Sequence, residues 1–225
     1  MADRRKLLVQ MLVKGILGIL LPGTILFISA GSLHFAAAWR FLTTFAMLML
    51  AMGLILLVKH PETLAKRLQV KETERTQTVI IPLSGLLFIG SFVLAGLDER
   101  FGWSHMPLGG EITALAVFIG GYALFTIVIL QNAYASRTVE VQKSQRVITT
   151  GLYALVRHPM YLAALILFLA MPLAMGSYTA LIPILAMPIL LALRIRNEEQ
   201  VLRKGLPGYT NYIKKTKYKL IPFIW

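Results

Sequence analysis

"PMYLAALILFLAMPLAMGSYTALIPILAMPILLAL", residues 159–193, is a charge-free run of 35 residues. As one helix it would be roughly 52 Å long at ~1.5 Å per residue, against a hydrocarbon core of about 30 Å. Its middle, "MPLAMGSYT", holds Pro172 and Gly176, both breaker signals. The run therefore reads as a hairpin of two short helices, 160–173 and 178–196, leaving one membrane face and returning to it. A hairpin makes its ends neighbours. "YALVRHPMY" (153–161) at the entrance and "RIRNEEQ" (194–200) at the exit are expected side by side, despite about 40 intervening residues.

Outward from the hairpin the same pattern repeats. Four more charge-free runs cover 15–39, 41–58, 76–97 and 112–136. Each suits one crossing, since a spanning helix needs about 20 apolar residues. The expected spans are 11–31, 37–58, 78–97 and 111–134. The chain is 57% hydrophobic and 15% charged, where soluble domains run at about 45–50% and 25%. The fold class is all-α: a polytopic integral membrane protein of about six helices, including the C-terminal hairpin. Residues 1–134 form an N-terminal set of helices and residues 135–225 a second unit. The N-terminus is basic and then apolar with no small-residue cleavage site, which reads as a retained first span. Cysteine is absent, which excludes disulfides, thiolate metal sites and a cysteine nucleophile.

A net charge of +13 over 225 residues raises nucleic acid as a partner, and its distribution argues against one. Three basic residues precede the first span, five lie in 59–75, four in 137–157 and eight in 194–219, together 20 of the 23. All fall on one side if the spans alternate. This is the positive-inside pattern, which places both termini in the cytosol of a multi-pass protein in the cell (inner) membrane. The partners of that basic face are anionic membrane lipids. In the loop between the second and third spans, "PETLAKRL" reads as a short amphipathic helix with Leu64 and Leu68 on one interfacial face.

The polar residues gather on the basic side. At the hairpin entrance stand Tyr153, Arg157, His158, Pro159 and Tyr161, after Gly151, which offers a positive φ. Each has an ordinary explanation: Pro159 as a first helical residue, the tyrosines as an interfacial belt, Arg157 as an inside-positive charge. At the exit, Arg194 and Glu198 are four apart and share a helix face. With Arg196 and Glu199 they present both signs of charge to the entrance. An arginine clamps a carboxylate and a glutamate holds an ammonium, a set suited to a zwitterionic ligand. The histidines at 34, 60 and 105 are scattered, and no His/Asp/Glu set has metal-ligand spacing, so no metal is expected. There is no Gly-rich phosphate loop.

"VITTGLYALVRHPMY", the hairpin, "RIRNEE" and "LPGYTNYIKKTKYKLIPFIW" together resemble the isoprenylcysteine carboxyl methyltransferase family, with phospholipid methyltransferases as broader relatives. "KHPETLAKRL" and "AGLDERFGWS" are similar to the N-terminal half of an uncharacterised bacterial branch of it. The resemblance implies a membrane enzyme that uses S-adenosylmethionine in a cytosolic pocket and releases S-adenosylhomocysteine. Carried over by position, Gln142, Gln145, Arg146, Val147, Ile148, Tyr153, His158, Pro159, Met160, Tyr161 and Glu198 would bind the cofactor. Gln145 stands where the family often has His, and Gln142 is the candidate for an upstream glutamine contact. Arg194 would be the substrate-side arginine, and Arg157 part of the same polar shell. Glu199 or His158 would serve as base if the acceptor were an amine. The acceptor itself, a lipophilic or small carboxylate, thiol or amine, stays open. Two other classes are carried alongside: a sterol-reductase-like enzyme using NADPH, and a non-enzymatic lipid-binding or transport protein.

Overall fold

The computed structural model describes residues 4–68, 74–132, 134, 141 and 145–225, and among these there is no strand. Four helices are long and apolar enough to cross a membrane: α1 (Arg4–Ala30), α2 (Ala36–Lys59), α4 (Arg75–Phe101) and α5 (Leu108–Gln131). A short helix, α3 (Pro61–Leu68), links α2 to α4. Beyond α5 come a single turn, α6 (Leu152–Leu155), and then α7 (Pro159–Ala174), α8 (Leu181–Ile184), α9 (Met187–Gly205) and α10 (Tyr209–Lys215). The chain is a multi-pass membrane protein, with α1 packed on α2 and α4, and α5 packed along α7.

The hairpin is present, with a different second leg. The first leg, α7, agrees with the expected 160–173. The second was expected over 178–196. Instead one turn, α8, is followed by α9, which runs on to Gly205. Pro183 and Pro188 explain the break, because neither supplies an N–H to a continuing helix. The extension has a different cause: hydropathy marks where the helix leaves lipid, and the charged residues from 194 onward are good helix formers in water. The face of α3 that carries Leu64 and Leu68 is also turned differently. It packs inward against Leu7, Met11 and Leu56 rather than lying toward lipid.

Helices in lipid gain no hydrophobic driving force from one another, so close approach and polar contacts hold them together. Gly96 of α4 lies so near α1 that a methyl on it would sit 2.5 Å from the Leu26 carbonyl oxygen. Gly121 of α5 is similarly close to Ile166 of α7, at 2.9 Å. At the end of the bundle away from the basic loops, the buried Asp98 carboxylate ties down the hairpin turn. It accepts hydrogen bonds from the Ser104 backbone N–H (2.7 Å), the Thr179 hydroxyl (2.9 Å) and the hydroxyls of Ser104 and Ser177. Arg40 and Glu111 form an ion pair nearby. At the basic end, Gln77 of α4 donates to Asn197 of α9 (2.6 Å), and Asn197 donates to Glu74 (3.2 Å). Polar ties at both ends thus fix the hairpin against α4.

Of the three glycines of α4, those at 85 and 96 give a controlled test. Gly96→Ala inserts a methyl against backbone, an overpacking typically costing about 1–3 kcal/mol. Gly85 has nothing within 4 Å of such a methyl, so Gly85→Ala should leave the melting temperature in detergent unchanged or raised while Gly96→Ala lowers it.

Candidate active site

The chain after Gln131 returns to the bundle through a turn that glycine makes possible. Gly151 has φ +60°, and a methyl there would meet the Gln131 side-chain oxygen at 2.8 Å. That same oxygen accepts the Leu152 N–H (3.2 Å), and Asn132 donates to the Tyr153 hydroxyl (2.8 Å). α6 is thereby pinned to the end of α5. Val156 is extended (φ −136°, ψ 152°), and Pro159 opens α7 at the first helical position. Between them Arg157 and His158 meet the tail. Their backbone N–H groups donate to the carbonyls of Tyr218 (2.9 Å) and Lys219 (2.8 Å). The Tyr212 hydroxyl donates to the Tyr153 carbonyl (2.7 Å). The tail beyond Gly205 is therefore a strap laid over the "RHP" segment.

The exit helix closes the arrangement from the other side. Glu199 is buried and faces three cations, Arg157 (2.8 Å), Arg203 (3.8 Å) and Lys219 (3.9 Å), together with the His158 ring (3.3 Å). Burial pushes its carboxyl up, but the His158 hydrogen bond and the charges of His158, Arg157 and Lys219 outweigh this and hold it below the ordinary value. One turn away in space, a second relay forms. Arg194 Nε donates to the Tyr161 hydroxyl (2.9 Å), and that hydroxyl donates to Glu198. The Arg194 guanidinium lies 5.8 Å from the centre of the Tyr161 ring. Arg194 and Glu198 do share a helix face, with Tyr161 from the entrance set between them. Arg196 was expected to face the entrance as well; it is exposed, on the far side of α9.

These elements enclose a cleft with about 860 Å³ of empty space, mouth included. Gln145, Arg146, Val147, Ile148, Tyr153, Arg157, His158, Pro159, Met160, Tyr161, Arg194 and Glu198 all line it. Gln142 lies outside the described residues. Glu199 is not among the lining residues; it stands behind Arg157 and His158 in the ion cluster. The sequence reading did not name Asn132, Tyr134, Val201, Leu202, Leu206, Tyr209 and Tyr212, which also line the cleft. Their signal was present in part: Val201, Leu202 and Leu206 continue the α9 faces past the apolar run, and Tyr209 and Tyr212 sit three apart on α10. Leu206, Tyr209 and Tyr212 form an apolar floor on which Val141 and Val147 rest. Burial, partly offset by the hydrogen bond from Asn132, pushes the Tyr153 phenol up to about 12, so it remains a neutral donor or acceptor.

Residues 113–204 match the model of the isoprenylcysteine carboxyl methyltransferase (ICMT) family. The matched segment opens in α5 and closes at the end of α9, so the ICMT match spans both hairpin ends that build the cleft. It supports assignment of the chain to the ICMT-like membrane methyltransferases. No curated protein matches the chain. Among the described residues, no three His, Asp or Glu side chains stand close enough to hold a metal ion.

The ion cluster makes a pH prediction with a definite sign. A carboxylate whose native pKa is depressed contributes its full stability above its ordinary value, 4.5 for Glu199, and loses it as pH falls through the native value. The melting-temperature gap between the natural protein and Glu199→Gln should be widest near neutral pH and shrink steadily below about pH 4.5. A gap that stays constant down to pH 3 (roughly) would mean that Glu199 is not the charged centre of the cluster.

Proposed function

We propose that this chain is a methyltransferase that binds S-adenosylmethionine in the cleft, at the cytosolic face of the membrane, and methylates an acceptor arriving from the bilayer. What carries the reading is the convergence of the loop 145–148, the entrance residues 153–161 and the exit pair Arg194/Glu198 on one cleft, inside a segment with an ICMT-family match. The basic loops at that end of the bundle support the cytosolic orientation through the positive-inside bias.

The residues present fit such a ligand. Glu198 offers a carboxylate to an ammonium, Arg146 and Arg157 offer cations to a carboxylate, and the tyrosines and Val147 offer flat apolar surface to a purine. When bound, the cofactor supplies a methyl group on a sulfonium, displaced in line by the acceptor. The protein's contribution is orientation and exclusion of water, which suffice for a transfer that needs no proton removal. Tyr161 fixes Glu198 and Arg194 relative to one another, so the donor-side carboxylate and the acceptor-side cation are set by one hydroxyl. Arg194 orients an anionic acceptor. Glu199 acts as a positioning residue for Arg157 and His158, since its own oxygens face the cluster. Glu199, engaged by Arg157 and His158 and not lining the cleft, is not placed to take a proton from the acceptor, which favours a carboxylate or thiolate acceptor over an amine.

Purified protein titrated with S-adenosylmethionine, S-adenosylhomocysteine and NADPH should bind the first two and not the third. Tight NADPH binding with no response to the other two would replace this reading by a reductase. Glu198→Ala should weaken cofactor binding by roughly tenfold or more, as expected for loss of a charged hydrogen bond, whereas Arg194→Ala should lower turnover with cofactor affinity largely kept.

A further inference from the structure

The strap over the "RHP" segment runs into "LIPFIW", residues 220–225. Leu220, Ile221 and Trp225 pack into one cluster with Tyr161, Leu165 and Leu191 of the hairpin. Those three hairpin residues lie inside the charge-free run 159–193, so the strap reaches the depth at which the hairpin meets lipid. Phe223 and Ile224 stay outside the cluster. They are 87% and 77% exposed, the highest values among the large hydrophobic residues described. An exposed apolar tip marks an interaction surface, and here it adjoins a membrane-embedded hairpin.

The backbone of the turn suits a lipid boundary. Irregular backbone is tolerated there where its polar groups are satisfied internally. The N–H groups of Lys219 and Leu220 (2.9 Å each) and Ile221 (3.2 Å) all donate to the Trp225 carbonyl oxygen. Those of Ile224 (3.2 Å) and Trp225 (3.1 Å) donate to the carbonyl of Ile221, and Pro222 has no N–H. The turn also holds Phe223 at φ +67°, a left-handed conformation found in no other non-glycine residue described. That conformation is unfavourable for a bulky side chain, so something must offset it. In water, two outward apolar side chains offset nothing; among acyl chains they do. The charges agree. Exposed Lys214, Lys215 and Lys217 precede the turn, and Lys219 lies 4.8 Å from the centre of the Trp225 ring. Lysines beside an apolar tip seat a segment at an anionic lipid surface.

We propose that the turn 221–225 is seated in the bilayer on the basic side, and that this seating holds the strap on the "RHP" segment. Phe223 and Ile224 enter the acyl boundary, and the lysines meet anionic head groups. The coupling is direct in the chain: the Tyr218 and Lys219 carbonyls that accept the Arg157 and His158 N–H groups immediately precede the turn. The inference holds whichever ligand fills the cleft.

The chain has no cysteine, so Ile224→Cys and Lys215→Cys each give one site for a spin label. The labelled proteins are placed in nanodiscs of phosphatidylglycerol and phosphatidylcholine. At 224 the label should collide with oxygen more than with a water-soluble nickel chelate, and at 215 the order should reverse. A label at 224 that behaves like the one at 215 puts the tip in water and overturns the proposal. Low collision with both reagents at 224 puts it against protein, in this chain or a second copy, and also overturns it. The second arm reads hydrogen exchange of the Arg157 and His158 amides in the same nanodiscs. Phe223 also lies against the Tyr218 ring (5.3 Å between centres), so Ile224 is the residue to vary. Ile224→Ser should speed exchange at both amides roughly tenfold, and Ile224→Leu should not. Unchanged exchange in Ile224→Ser would mean that the tip does not hold the strap. Equal acceleration in Ile224→Leu, or acceleration spread over α5, would make Ile224 a packing residue; either result overturns the proposal.

Discussion

The Arg157–Glu199 ion pair, 2.8 Å apart with both side chains nearly sealed from solvent, joins the two ends of the hairpin. Charges this buried are tolerated only when paired, and removing one partner of such a pair typically costs about 3–5 kcal/mol. The pair fixes the entrance of α7 against the outgoing α9, and through His158 and Lys219 it gathers the tail into the same cluster. The cleft wall, the strap over the "RHP" segment and the Tyr161 relay all depend on those two chain ends staying together. At the far end of the bundle, the Asp98 hydrogen bonds to the hairpin turn fix the other extremity of the same hairpin.

This arrangement separates two jobs that adjacent residues do. Glu198 faces the cleft and Glu199 faces away from it, because neighbouring positions on a helix point about 100° apart. One carboxylate is available to a ligand and the other holds the scaffold. The same division runs through the entrance: Tyr161 lies in the relay that faces the cleft, while the backbone N–H groups of Arg157 and His158 are committed to the tail. A site built from side chains on two helix ends, seated on a packed apolar floor of Leu206, Tyr209 and Tyr212, has the rigidity that catalysis by orientation requires.

Much of this was legible in the sequence, for identifiable reasons. The 35-residue charge-free run is too long for one crossing, and Pro172 with Gly176 located its turn. That alone predicted the meeting of "YALVRHPMY" with "RIRNEEQ". Gly151 announced its positive φ, and Pro159 its helix start. What escaped was information that periodicity and hydropathy do not hold. The end of α9 at Gly205 was missed because helix continues after hydrophobicity stops. The inward face of α3 was missed because an amphipathic helix looks alike whether its apolar side meets lipid or protein. Glu199 stands with His158 in the sequence as an open choice of base for an amine acceptor, and its place behind the cleft wall is a tertiary property that no local pattern announces. Tyr209 and Tyr212 read only as part of a basic tail, since nothing local says that the tail folds back over the motif.

The most direct measurement is ultraviolet cross-linking of methyl-labelled S-adenosylmethionine to the purified protein, followed by peptide mapping. Assignment of the cleft as the donor pocket predicts label within 145–161 and 194–212, suppressed by excess S-adenosylhomocysteine. Label in the α1–α2 helices or the 98–111 loop, or label that excess S-adenosylhomocysteine leaves unchanged, would contradict it.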